Sequence, residues 1–260
     1  MEFFVISATI IIFLFTGGGL ILNNSLTNIL RNQSEEIGEV KVRVNSIPTH
    51  QLIKGEADSI QISLKQWQPR PHIRVELLEL ETDRIGIDLD QIRKLNADNW
   101  QTVLKKPLNM AWRTILTEND LNNLIKSPQV EEMISKVTGD ASSGFELLEL
   151  NLNLKGNNRI AMETKVKLPI RGEEILDVNL EFNLGVIKGH SIIISDIEGT
   201  LNNRRLSSSL LQGFVDNINN QLSWRNLEDS GITMRLLQFN INEDTLEIAG
   251  FIHLQPSKKD

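Results

Sequence analysis

The 260-residue chain has no cysteine and no tyrosine. Lacking thiols, it has no means of making a disulfide, a thiolate metal site, an iron-sulfur cluster or a cysteine nucleophile, and it tolerates either redox compartment. Aromatic residues make up only 5% of the chain, so the stacking platforms of single-strand nucleic-acid binders lack material. Positive charge is thin as well: lysine and arginine run no longer than pairs, and the net charge is -7. A nucleic-acid partner, which requires a concentrated basic surface, is not expected.

Catalytic patterns are missing too. There is no nucleophile elbow, P-loop, H-E-x-x-H helix or G-x-G-x-x-G turn. His50, His72, His190 and His253 are far apart and read as solvent-facing or satisfied strand residues. Asp88-x-Asp90, with Asp83 nearby, lacks the following loop of oxygen ligands and the glycine of a calcium site, so no metal is expected. Glu76, Glu79, Glu146 and Glu149 read as water-facing strand positions rather than a catalytic pair. Neither catalytic residues nor a cofactor are expected, and the chain reads as non-enzymatic.

What is present begins with an uncharged apolar run, Phe3 to Leu22. At roughly 1.5 Å per residue, a helix of about 20 residues spans the bilayer core of about 30 Å. No basic residue precedes it and no small-x-small site follows. An uncleaved anchor or an atypical export signal is therefore favoured over a buried core helix, with Phe3, Phe4, Phe13 and Phe15 as membrane contacts. Residues 1–23 are assigned to this segment and 24–38 to an amphipathic linker helix carrying Leu26, Ile29, Leu30 and Ile37 near helical spacing. Arg31 is the first basic residue, too little to set the topology by charge bias.

From Val40 the apolar period becomes two, the mark of strands with one buried face. Residues 39–255 form the expected α+β domain, and 256–260 a tail. The stretch Ile73 to Leu89 organises it. Ile73, Val75 and Leu77 alternate, the phase slips at Leu77-Leu78, and Leu78 and Leu80 continue on the other parity. Such a slip turns later side chains over unless a bulge absorbs one residue or both faces are apolar. The motif Val75 to Leu80 returns as Phe145 to Leu150 and, more loosely, as Met234 to Phe239, suggesting two similar halves, about 39–140 and 141–255. Chance similarity stands as the alternative for the third copy. Helices are expected after Thr117-Glu118-Asn119-Asp120, close to a capping box, and from Ser207 to Leu222. Trp67, between polar residues before Pro69, reads either as a loop tip at headgroup level or as a ring folded back onto an apolar edge.

The segments Val42-Arg43-Val44, Pro48-x-His50-Gln51-Leu52-x-x-Gly55, Ile60-x-Ile62, Ile73 to Asp83, Ile87-Asp88-Leu89, Ile115 to Asn122 and Asp244 to Ile248 together resemble the LmeA-like bacterial phospholipid-binding family in its cyanobacterial-type form. The resemblance covers most of the chain after about Val40. It implies distant kinship to tubular lipid-binding (TULIP-like) modules: long curved antiparallel sheets wrapping one or two helices, here preceded by the N-terminal hydrophobic helix. It further implies non-catalytic phospholipid binding in the cell envelope, and brings no motif-defined site residues.

Burial of an acyl chain yields roughly 0.8 kcal/mol per CH₂, so an apolar groove can hold a phospholipid or other acyl lipid without precise polar chemistry. The expected lining is Val75, Leu77, Leu78, Leu80, Leu121, Leu124, Phe145, Leu147, Leu148, Leu150, Leu211, Phe214 and Ile218. Trp67 joins the phenylalanines as a membrane contact. The alternative is an envelope scaffold with a packed interior that binds a protein partner, whose identity the sequence leaves unknown.

Overall fold

The computed structural model describes residues 30–32, 34–92, 100–128, 130, 146–168 and 174–257. The alternation beyond the linker is realised as two antiparallel sheets and a two-stranded ribbon, with a few short helices. Strand β1 (Glu36–Asn45) begins inside the stretch expected to be helical, because Ile37 pairs with Trp67 across the ladder. β3 (Ser59–Arg70) and β4 (Ile73–Thr82) form a hairpin, and β6 (Leu108–Thr117) follows. The short β2 (Glu56–Ala57) and β5 (Ile85–Gly86) pair with each other as the separate ribbon. After Ile85 the expected alternation does not continue to Leu89, which opens a single helical turn, α1 (Leu89–Ile92). The Asp88 carboxylate accepts the Asp90 N–H there at 3.0 Å, a capping role for an acid at a helix start.

The second half supplies β7 (Glu146–Gly156), β8 (Arg159–Leu168), β9 (Glu174–Ile187), β10 (Ser191–Leu201) and the short β11 (Arg204–Arg205), joined in a five-stranded sheet of order β11-β10-β9-β8-β7. The final hairpin, β12 (Ile232–Ile241) and β13 (Thr245–Leu254), does not join it. It completes the first sheet, of order β1-β3-β4-β6-β13-β12. The six-stranded sheet thus draws on both stretches of the chain.

The three copies of the leucine doublet are all strands, and they resolve the phase slip in two ways. In β4 the register against β3 and β6 runs unbroken through Leu77 and Leu78. The strand is regular there, so the two leucines point to opposite faces. Leu78 lies in the core and Leu77 is half-buried on the other face. In β7 the register shifts between Leu147 and Glu149, and in β12 between Leu236 and Gln238. Each of these strands carries a bulge at its doublet. The third copy shares the second copy's geometry as well as its spelling.

One continuous core runs through both sheets, from Ile60, Leu64 and Val75 to Leu154, Leu180 and Phe182. Trp67 belongs to it. β3 continues through Pro69, so the residue sits within a strand and not at a loop tip; the ring is 4% exposed and its Nε1–H donates to Ser34 Oγ at 2.8 Å. A ring so enclosed has no surface with which to touch a membrane. Phe3, Phe4, Phe13 and Phe15 lie outside the described residues. Among the described residues, no helix is long and apolar enough to cross a membrane.

Candidate functional site

Helix α2 (Glu118–Leu124) connects the two sheets. Its start is a capping box: Thr117 Oγ1 accepts the Asp120 N–H at 3.2 Å and Asp120 Oδ2 accepts the Thr117 N–H at 2.9 Å. Asp120 is fully buried, and its other oxygen accepts from Arg74 Nη1 of β4 at 2.7 Å. A buried carboxylate requires such a partner. The arginine also reaches Glu76 at 2.8 Å. Its pKa is raised above the usual value chiefly by the hydrogen bond it donates to Asp120, against the opposing effect of burial.

The helix then grips the outer edge of β7. The Leu152 N–H donates to Asn122 Oδ1 at 2.8 Å, and Asn122 Nδ2 donates to the Leu152 carbonyl at 2.8 Å. One side-chain amide thus reproduces a ladder pair. The Leu154 N–H donates to Glu118 Oε2 at 2.8 Å, so the edge is closed where these residues lie.

Past this grip β7 leaves the helix. Ile125 and Lys126, just beyond α2, face the segment Leu147 to Asn151 across a hollow of about 540 Å³. The β7 bulge falls within that segment, and both Leu147 and Leu148 line the hollow. They are 42% and 41% exposed. Pairing extends the apolar wall across the sheet: Leu147 faces Val166 and Val166 faces Leu176, both half-buried. Six positions on along β8 and β9, the equivalent row of Leu154, Ile160 and Phe182 is at most 9% exposed. One apolar face of a sheet is therefore sealed at one end and open at the other.

The polar side of the hollow is simple. Glu149 lines it and holds Lys165 at 2.8 Å. The lysine pKa is raised, mainly by that hydrogen bond and by the Glu149 charge. Lys126 is exposed at the other wall. Among the described residues no cluster of histidine, aspartate or glutamate is arranged to hold a metal. His190 Nδ1 lies 2.8 Å from Ser191 Oγ, which in turn donates to Ser223 Oγ at 2.9 Å. That chain of bonds pins the segment after helix α3 (Ser208–Gln221) to β10, where Ile192 N–H and Trp224 N–H also bond across to Leu222 and His190 carbonyls.

A family model described as LmeA-like phospholipid-binding matches residues 16–251. The chain belongs to this family. No curated protein and no solved structure matches it. LmeA-like membership implies lipid binding, and the family is a lipid-binding one rather than an enzymatic one.

Within this LmeA-like chain the expected lining residues divide into two groups. Val75, Leu78, Leu80, Leu121 and Leu211 are buried in the core, and Leu77, Leu124 and Ile218 are half-buried elsewhere. Leu147, Leu148 and half-buried Leu150 meet at the hollow. Phe145 lies outside the described residues, as does the side chain of Phe214. Ile125, Lys126, Val166 and Leu176 were not anticipated. Ile125 follows Leu121 by one helical turn, and Val166 and Leu176 continue alternations already visible, so only the pairing register was needed to join them to Leu147.

Proposed function

We propose that this LmeA-like protein binds a phospholipid without catalysing any reaction, and that one acyl chain enters between Ile125 and the Leu147-Leu148 bulge and runs along the open apolar face. The observation that supports this most is the gradient across β7, β8 and β9, from half-exposed leucines at the hollow to a sealed core at Leu154, Ile160 and Phe182. Exposed apolar surface of this kind is stabilised by covering it with hydrocarbon. On this reading the two sheets and α3 act as the walls of a TULIP-like module. The N-terminal apolar run holds it to the envelope side of a membrane, where it transfers lipid or maintains the envelope.

The test is native mass spectrometry with lipid extraction on the full chain in mild detergent. Copurified or exchangeable phospholipid is expected, with occupancy falling on the order of tenfold in the Leu147→Ser, Leu148→Ser double variant. Absence of lipid across several lipid classes overturns the proposal. It would favour the second reading, a scaffold with a packed interior, to which the burial of Val75, Leu78, Leu80 and Leu121 already lends weight.

A further inference from the structure

Strand edges are exposed rows of donors and acceptors, and a fold ordinarily closes or disarms them. Three of the four long edges here are held along part of their length by side chains or turns. On β7 Asn122 and Glu118 occupy the edge. On β10 the Ile194 N–H donates to Asn219 Oδ1 at 2.7 Å and Asn219 Nδ2 donates to the Ile194 carbonyl at 3.2 Å, the same device used by a second helix. On β12 the Leu236 N–H donates to the Gly189 carbonyl at 2.7 Å, and Asn158 takes both groups of Ile241 through its own N–H and its Oδ1.

The fourth edge, β1, is different. It is 10 residues long. It pairs with β3 along one flank, and no backbone partner lies on its other flank among the described residues. Its charges are also sorted: acidic Glu36 and Glu39 come first, basic Lys41 and Arg43 last. We propose that β1 is an interface on which a second copy of this chain adds its own β1, antiparallel, joining the two six-stranded sheets into one.

Charge complementarity selects that occupant and sets the register. A two-fold axis perpendicular to the sheet keeps the polar face of both copies on one side, and it places one residue opposite its own copy. With Val40 at the axis, Glu39 faces Lys41 and Lys41 faces Glu39, while Gly38 faces Val42. With Glu39, Lys41 or Val42 at the axis, like charges stand directly opposite, which is unfavourable. A parallel arrangement aligns acid with acid and base with base. The axis also lies beside a hollow of about 890 Å³ lined by Val40 to Arg43, Gln61 to Ser63, Glu79 to Glu81 and Ala111 to Arg113. The second copy's Lys41 and Arg43 extend its open side.

The absence of native cysteine makes the test direct. Facing residues in an antiparallel pair have Cα atoms about 4.5–5.5 Å apart, inside disulfide range. The full chain in mild detergent, carrying Val40→Cys, is expected to form a covalent dimer on gentle oxidation, at least tenfold faster than Ile53→Cys, a control at an exposed turn residue. Mixing Glu39→Cys with Lys41→Cys chains should yield the heterodimer. Sedimentation equilibrium supplies a second measurement without cross-links. Glu39→Lys or Lys41→Glu alone is expected to weaken association at least tenfold, and the double swap to restore it. A monomer mass at every concentration overturns the proposal, as does V40C cross-linking no faster than the control or a double swap as weak as the singles. Protection of the thiol of Lys41→Cys, at an exposed position of the strand, from maleimide in a monomer would place another part of the chain on the edge and overturns it equally.

Discussion

At the scale of single residues, Asp120 and Glu39 show how differently two ion-paired carboxylates behave. Asp120 is fully buried and closes α2 on one side and Arg74 on the other. Removing one member of a buried pair leaves the other charge uncompensated, so Asp120→Ala is expected to cost about 3 kcal/mol in urea-denaturation stability. Adding Arg74→Met to that variant should recover part of the loss, because the stranded cation is removed. Glu39 lies on the surface between Lys41 and Lys65, each 2.7 Å away. The hydrogen bond from Lys41, then that from Lys65, lowers its pKa from the ordinary 4.5 to about 2. A carboxyl depressed in the folded state stabilises the fold above its unfolded pKa, and that contribution disappears as pH falls through the folded value. The urea midpoint of the wild type should therefore fall more than that of Glu39→Gln between about pH 4.5 and about 2. Equal slopes in the two proteins would contradict the assignment.

At the scale of elements, the strands were largely legible because burial on one face imposes period two. In β13 (Thr245–Leu254), Leu246, Gly250, Ile252 and Leu254 are buried, all on one parity. The leucine doublets marked a phase problem in sequence, but its solution depends on partner strands that periodicity does not reveal. β4 keeps its register and buries one leucine on each face in part or whole, whereas β7 inserts a bulge and leaves both leucines at the hollow. The candidate lining residues could not be separated into core and hollow for the same reason. Trp67 illustrates the opposite limit: polar neighbours and Pro69 suggest a turn, but Pro69 falls at the end of β3, where the register with β4 skips from Trp67 to Arg70. The asparagine grips were equally hidden, since Asn122 in α2 looks like an ordinary polar helix residue. Asn122→Ala should remove both bonds to Leu152 and cost about 1–3 kcal/mol. Amide exchange at Leu152 is expected to accelerate while exchange at Phe182, deep in the same sheet, changes only by the global loss of stability. Uniform acceleration across β7 to β9 beyond that loss would show that Asn122 supports the sheet rather than its edge.

At the scale of the whole molecule, the final hairpin decides whether the repeated motif corresponds to separable halves. β13 pairs with β6 along its full length, while β12 exchanges hydrogen bonds with Asn158 and donates one to the Gly189 carbonyl, both in turns of the other sheet. The hairpin thus completes the first sheet, and its outer edge is held by two turns of the second. Deleting everything after Gly231 would leave β6 with a bare edge and expose Leu108, Met110 and Leu116, all buried in the intact chain. It would also strip the Asn158 and Gly189 turns of their partners. Two independent halves predict that such a truncation retains the five-stranded sheet; an interlocked fold predicts that it retains neither, since apolar burial in both sheets is drawn from one core. We expect the truncated chain to lose nearly all strand signal in far-UV circular dichroism, and the intact chain to unfold in a single transition in which tryptophan fluorescence and circular dichroism coincide. A truncated chain that keeps slow amide exchange at Leu180 and Phe182 would establish instead that β7 to β10 fold without the hairpin, and that the hollow at Leu147 and Leu148 belongs to a self-sufficient half.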